Sequence, residues 1–332
     1  MAMDYKQEKP EIRLLQSGDK DFFLDCVDEL YEVVESHSPK FQVSRQVVNH
    51  GRVKSWLVRK LSGISFLHHL PTRIGNSSRI NFAAMISGDF RLFIPAAFFS
   101  KNNYIYMYDA WPRFHKWIFP LLNFFNINCV FFSSKQVYEA FIRQYPDRTN
   151  KAMWLPEALT VDEYCSVPHS QREIDVLEFG RNYAAYHELI TAPLLINHKK
   201  HMYKSAATPV LFPGKAAFTT ALSQSRIVIC VPSNISHPER AEYLSTMTLR
   251  YLQAMASKCL IVGMMPSDME ELFGYVPIVE IDMNRAAEQI LEVLDQYEQY
   301  LPLIERNYAL VKANHQWQNR WEVIQQKMEE QL

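Results

Sequence analysis

Between Ile174 and Ile281 the chain repeats one pattern, a short and mostly apolar run followed by a turn and then a helical stretch. The apolar runs are IDVLEF (Ile174–Phe179), PVLF (Pro209–Phe212), RIVICV (Arg226–Val231), CLIVG (Cys259–Gly263) and VPIVEI (Val276–Ile281). Residues of alternating polarity would mark strands with one wet face; runs without alternation mark strands covered on both faces. Helical spacing fits Tyr183–Ile190, which should end before Pro193, and Ala216–Ser223. It also fits Thr246–Ser257, where Leu249, Leu252, Met255 and Ala256 share a face, and then Ser267–Phe273 and Asn284–Tyr297. A parallel sheet sandwiched by helices follows.

The preceding half is less regular. Asp21–Glu35 predicts an acidic amphipathic helix and Val43–Leu61 a basic one. RLFIP (Arg91–Pro95), NYIYMY (Asn103–Tyr108), NCVFF (Asn128–Phe132) and AMWL (Ala152–Leu155) read as strands, with helices at Arg113–Phe125 and Ser134–Tyr145. The expected architecture is therefore α/β, with two Rossmann-like domains facing a cleft. Their boundary is placed in the polar stretch Val161–Arg172, which contains Pro168. Leu301–Leu332 predicts a long helix whose Trp317, Trp321, Ile324 and Met328 form one apolar stripe. Residues 1–165 are assigned to an N-terminal acceptor domain and 166–310 to a C-terminal nucleotide domain. Residues 311–332 are assigned to a helix that braces the N-terminal domain.

Composition removes several classes. Only 9 of the 332 residues are glycine, and neither GxGxxG after a strand nor GxxxxGK[ST] occurs, so dinucleotide and P-loop sites lack their turns. GxSxG is absent as well. The five cysteines are dispersed and never in CxxC spacing, which argues against a disulfide framework or a zinc finger. No run reaches the ~20 apolar residues of a membrane span, and MAMDYKQEKPEIR lacks a signal peptide's apolar core. A cytoplasmic protein is expected. Charge is uneven: residues 36–155 carry 16 basic and 4 acidic side chains, although the whole chain is at −1. Such a block points to an anionic partner. A basic helix over residues 43–61, with Arg45, Arg52, Lys54, Arg59 and Lys60, would place the protein peripherally on an anionic membrane; an ordinary solvated face is the alternative.

Three other signals are discounted. Asp19-Lys20-Asp21 spells DxD but precedes a helix, as a cap does. His198 and His201, like His68 and His69, are expected at the surface, with no third metal ligand in view, so no metal site is assigned. Tyr104, Tyr106 and Tyr108 alternate as strand residues do, and no nucleic-acid partner is expected.

Ligands of parallel sheets bind beyond the carboxyl ends of the strands. The first C-terminal strand leads into Phe179-Gly180-Arg181, where the glycine permits a sharp turn and the arginine offers a fork of donors. The second leads into Phe212-Pro213-Gly214-Lys215. The third leads through a long polar loop to Ser245, Thr246, Met247, Thr248 and Arg250, where free amides at a helix start suit a diphosphate. In the N-terminal half Asp109 follows an apolar strand; it is either a general base toward an acceptor hydroxyl or a turn residue ahead of Pro112.

On these stretches the sequence resembles the GT-B glycosyltransferases, in particular the glycogen-synthase-like and spore-maturation-type families. IDVLEFGR, VLFPGKAAFTTALSQSRIVICVPSN, TMTLRYLQAMASKCLIVG and HQWQNRWEVI match that pattern in order. The resemblance covers roughly residues 100–330. It implies transfer of a sugar from a nucleoside-diphosphate sugar, a co-substrate, to a glycan, lipid-linked or small-molecule hydroxyl acceptor. No further cofactor and no metal are implied. Arg181 falls on the family arginine that neutralises the diphosphate, and Thr246 to Arg250 on its phosphate-binding helix start. The family's E-x7-E pair falls on Ser245 and Gln253, and its lysine on Tyr186, with Lys215 or Arg250 as substitutes. A nucleotide-sugar epimerase and a non-catalytic sugar-nucleotide-binding protein remain the alternatives.

Overall fold

The computed structural model describes residues 9–18, 25–49, 51–62, 76–180, 182–208 and 210–331. The chain divides into two compact units, one running to Pro156 and resumed from Trp317, the other Glu157–Gln316.

The first unit contains β1 (Glu11–Ser17), α1 (Asp25–Ser36), β2 (Gln42–Val48), α2 (Arg52–Ser62), β3 (Asn76–Ile86) and β4 (Ser100–Tyr108). It continues with α3 (His115–Phe124), β5 (Cys129–Phe132), α4 (Lys135–Gln144) and β6 (Ala152–Trp154). All pairings are parallel, in the order β2-β1-β3-β4-β5-β6. The second unit contains β7 (Ile174–Leu177), α5 (Ala184–Ile196), β8 (His201–Met202), α6 (Lys215–Ser223), β9 (Ser225–Cys230), and the short α7 (Ser233–Ser236) and α8 (Pro238–Ala241). There follow α9 (Leu249–Ala256), β10 (Leu260–Gly263), α10 (Met269–Phe273), β11 (Val279–Glu280), α11 (Ala286–Asp295) and α12 (Leu301–Asn314). Its parallel order is β11-β10-β9-β7-β8. The last helix, α13 (Trp317–Glu329), belongs to the first unit.

Both sheets reverse their winding once, between β1 and β3 in the first unit and between β7 and β9 in the second. Those reversals fix where a ligand crevice opens. The second sheet is covered on both sides, as its apolar strands require. Val176, Ile227, Ile229, Leu260 and Val262 pack with Tyr186, Ile190 and Ile290 from α5 and α11. The alternate residues Leu177, Val228, Cys230 and Ile261 pack with Tyr251, Leu252 and Met255 of α9.

The predicted stripe Trp317, Trp321, Ile324 and Met328 is wholly buried. Trp317 lies edge-on to Tyr106 at 5.3 Å, and Trp321 lies 5.8 Å from Phe82. Tyr104, Tyr106 and Tyr108 are therefore core residues, their hydroxyls donating to Gln331, to the Leu155 carbonyl and to the Cys26 carbonyl. Trp321→Ala is expected to cost roughly 3–5 kcal/mol, read as a lowered urea midpoint for the unit it braces.

Several expectations fail, each for a local reason. Val43–Leu61 is not one basic helix: β2 takes its first part, because the β-branched QVSRQVV extends along β1, and α2 takes the remainder. Arg45 sits on that strand, bonded to Asp28 and Glu35, and Arg79 pairs with Glu11. Part of the cationic block is thus answered by the acidic N-terminal segment, and the continuous basic face expected for a membrane does not form. RLFIP is not a strand, since Phe90–Phe93 makes a 3-10 turn; β1 and β3 supply the strands instead.

Residues 210–212 of PVLF are likewise not a strand; the sheet edge is β8. The helix α5 runs through Pro193 to Ile196, the chain then closing with Asn197 N–H to the Pro193 carbonyl and Lys199 N–H to the Leu194 carbonyl. Leu301–Leu332 is two helices, broken at His315 and Gln316. Val161, Tyr164 and Arg172, from the stretch expected to link the domains, are buried in the second unit. Arg172 donates to the Ser225 and Ser257 carbonyls. Asp19–Asp21 and His68-His69 lie outside the described residues.

Candidate active site

In the second unit the crevice position lies between the ends of β7 and β9, and Arg250 spans it. Gly180, three residues past β7, is left-handed at φ +69°, and a Cβ there would meet Arg250 Cδ at 3.1 Å. The same arginine, 8% exposed, donates through Nη2 to the Val231 carbonyl at 2.9 Å, just beyond β9. Gly180 and Arg250 are thus brought together, and a side chain larger than hydrogen at 180 would crowd the guanidinium stem. Cys230 beneath them is no nucleophile: burial pushes its thiol up to about 12, against the lowering pull of Arg250. Arg181 lies outside the described residues.

The predicted phosphate-binding helix starts later than expected. Leu249 opens α9 with Thr248 as N-cap, so Ser245, Thr246 and Met247 belong to the preceding loop. Two amides expected to face phosphate are taken. Met247 N–H donates to Asp268 Oδ1 at 2.8 Å, and Leu249 N–H to Glu157 Oε2 at 2.7 Å. Carboxylates fill these places because an unanswered helix-start amide is costly to bury. Ser245 is docked on Ser267, accepting its N–H and Oγ–H through the carbonyl. Thr248 Oγ1 is buried without a protein hydrogen-bond partner. Gln253, on the second family glutamate position, donates to Tyr164 Oη at 3.1 Å.

The remaining nucleotide candidates lie along α6. Phe212 lies tilted against Phe218, with ring centroids 5.2 Å apart, and packs on the core. Gly214 is the N-cap of α6 in extended conformation. Lys215 is paired with Glu163. His201, expected at the surface, has a side chain only 6% exposed, whereas His198 is exposed.

In the first unit the crevice position carries a cavity of about 670 Å³ just beyond β3. Val58, Ile86, Phe90, Phe114 and Trp117 supply apolar walls; Ser87, Asp89, Arg91 and Lys116 supply polar groups. The backbone here is held in unusual conformations: Ser87 (φ 51°), Gly88 (φ 76°) and Asp109 (φ 46°) are all left-handed. A Cβ on Gly88 would come within 2.8 Å of Ile118. Ser87 ties the two strand ends together, its N–H donating to the Tyr108 carbonyl and its Oγ to the Asp109 carbonyl. Ser87 and Gly88 line the cavity, Asp109 is not among its lining residues, and left-handed Ser87 and Asp109 at adjoining strand ends are conformations held by their surroundings. Asp89 and Arg91 form a two-armed pair at 2.6 and 3.1 Å.

Ser87, Gly88, Asp89 and Arg91 were missed by sequence reasoning. The available signal was the Ser-Gly-Asp turn that follows the apolar NFAAMI, obscured by assigning a strand to RLFIP.

Residues 212–326 match the family model described as "Glycosyl transferase-like". No curated protein sequence matches the chain. Among solved structures it is similar to HepE of Anabaena in complex with UDP and glucose, at TM-score 0.60 and 12% identity over 96% of this chain and 99% of that one. It is also similar to a glycosyltransferase of Rickettsia africae (TM-score 0.58, 10% identity, 97% and 98% covered). Sucrose-phosphate synthase of Thermosynechococcus elongatus gives TM-score 0.55 at 13% identity, with 95% and 98% covered. The chain has the GT-B fold. Its segment 212–326 carries the glycosyl transferase-like family signature. Among the described residues no helix is long and apolar enough to cross a membrane.

Proposed function

We propose that the protein moves a glycosyl group from a nucleoside-diphosphate sugar, bound by the second unit, to a hydroxyl acceptor bound by the first. The observation that carries this is Arg250, a nearly buried guanidinium laid across the β7/β9 reversal beneath the left-handed Gly180. In this scheme Arg250 and the Thr248 hydroxyl meet the diphosphate, and the resemblance adds Arg181. The bond from the anomeric carbon to the diphosphate oxygen breaks, and the charge that develops on the departing oxygen is met by a fixed cation. The acceptor oxygen bonds to the anomeric carbon and its proton passes to Asp109, whose backbone carbonyl accepts from Ser87 Oγ of the cavity wall. No metal or further cofactor takes part. The cavity's apolar walls with Arg91 and Lys116 favour an acceptor that joins an apolar or sugar-ring face to an anionic group.

Relatives of this fold have been solved with UDP and with UDP-glucose, so UDP-glucose is the first donor to try. A thermal-shift screen against UDP, GDP, ADP, CMP and dTDP is expected to show one preferred diphosphate. Incubation with the matching nucleotide-sugar is then expected to release that diphosphate, slowly with water taking the glycosyl group and faster with a hydroxyl acceptor present. A second proposal, nucleotide-sugar binding without turnover, is favoured by Ser245 and Gln253 in place of the paired glutamates, with Gln253 already held by Tyr164. A thermal shift without diphosphate release, to water or to any of a panel of hydroxyl acceptors, would support it, and an isomerised donor would establish an epimerase.

A further inference from the structure

A cluster of three titratable side chains stands at the sheet edge of the second unit, with no part in the scheme above. We propose that Glu178, His187 and His201 form a binding site for a divalent transition metal of the zinc class. Parallel pairing of β7 with β8 sets Val176 beside His201 and Leu177 beside Met202, and Glu178 N–H donates to the Met202 carbonyl at 2.9 Å. This holds Glu178 and His201 together, while His187 enters from the start of α5. His187 Nδ1 and His201 Nε2 approach the same oxygen, Glu178 Oε1, at 2.7 and 2.8 Å. One ligand atom from each residue lies within 4.8 Å of the other two. The side chains are 5%, 19% and 6% exposed for Glu178, His187 and His201. The Tyr203 ring clamps both imidazoles, 4.6 Å from each.

Thr191 Oγ1 donates to the His187 carbonyl at 2.7 Å and stands 3.4 Å from His187 Nε2. With the ring hydrogen on Nε2 toward Thr191, His187 would turn its Nδ1 lone pair to the Glu178 side, as a ligating imidazole does. Two imidazoles and one carboxylate are the zinc-type donor set, and Thr191 supplies the outer hydrogen bond that orients a ligating imidazole. With metal–ligand bonds of about 2.0–2.1 Å the three atoms would separate to roughly 3.3 Å, a small adjustment for side chains at a sheet edge. Such a site would fix Glu178 two residues ahead of Gly180 and so stiffen the turn that closes over Arg250.

The test uses the full chain without an affinity tag, freed of metal by chelator, then titrated with Zn²⁺ against a chromophoric competitor and with Co²⁺ by visible absorption. The expected result is one tight equivalent of Zn²⁺, a tetrahedral Co²⁺ spectrum and a raised Tm on loading. His187→Ala, on the exposed side of the cluster, and Glu178→Gln are each expected to weaken the site at least about 100-fold, since even outer-sphere changes cost 10–100-fold. His198→Ala, three residues from His201 and exposed, should leave binding unchanged. Circular dichroism confirms that each variant is folded. If the wild type fails to take up one equivalent, or His187→Ala binds as tightly as wild type, the cluster is a proton-sharing network and the proposal is overturned.

Discussion

Arg250→Ala is expected to lower kcat/KM for glycosyl transfer about 100-fold, the loss typical when one fixed donor to a developing anion is removed. The side chain reaches from α9 under Gly180 to the Val231 carbonyl, so its guanidinium is held by packing before any ligand arrives. That prior placement makes the charge effective, because no reorganisation accompanies bond cleavage. Arg250→Lys is expected to recover only part of the activity: an ammonium cannot both bond Val231 and present a planar fork to phosphate oxygens. The alanine variant also leaves the Val231 carbonyl without its partner, at a cost of about 1–3 kcal/mol. Kinetics should therefore be compared well below each variant's Tm. Binding of the free diphosphate should weaken in parallel with turnover.

Asp109→Asn is expected to reduce transfer by about 10²–10⁴-fold, the usual range for loss of a general base, while diphosphate affinity stays at the wild-type level. Asparagine suits this position as a probe because it tolerates the left-handed conformation at φ 46°. The turn therefore survives and only the carboxylate is lost. Full activity in this variant would assign Asp109 to the turn before Pro112 and remove it from the chemistry.

What the sequence disclosed follows from which interactions are local. β7, β9 and β10 were legible because strands buried on both faces contain almost nothing but apolar side chains. β3 was missed because its first residues, NSSRIN, are polar, and its apolar part follows them without a break. β2 reads as helix in the sequence because Val43, Val47 and Val48 suit helical spacing as well as they suit an extended edge, and only its parallel pairing with β1 distinguishes the two. β8 has two residues, too few for any pattern. At the site, Gly180 and the cation at Arg250 could be singled out by position after a strand. The carboxylates that occupy helix-start amides could not. Glu157 meets Leu249 across 92 residues, and Glu178 meets His201 only once β8 is known to pair with β7. Such contacts follow from sheet order, which short-range spacing does not encode.

The central claim is that the second unit grips a diphosphate at the corner made by the β7 and β9 ends. Hydrogen–deuterium exchange on the full chain, with and without saturating nucleoside diphosphate, tests it most directly. Slowed exchange confined to peptides covering residues 178–182 and 245–251 is the predicted result. Unchanged exchange there, with protection appearing only in other parts of the chain, would contradict the account.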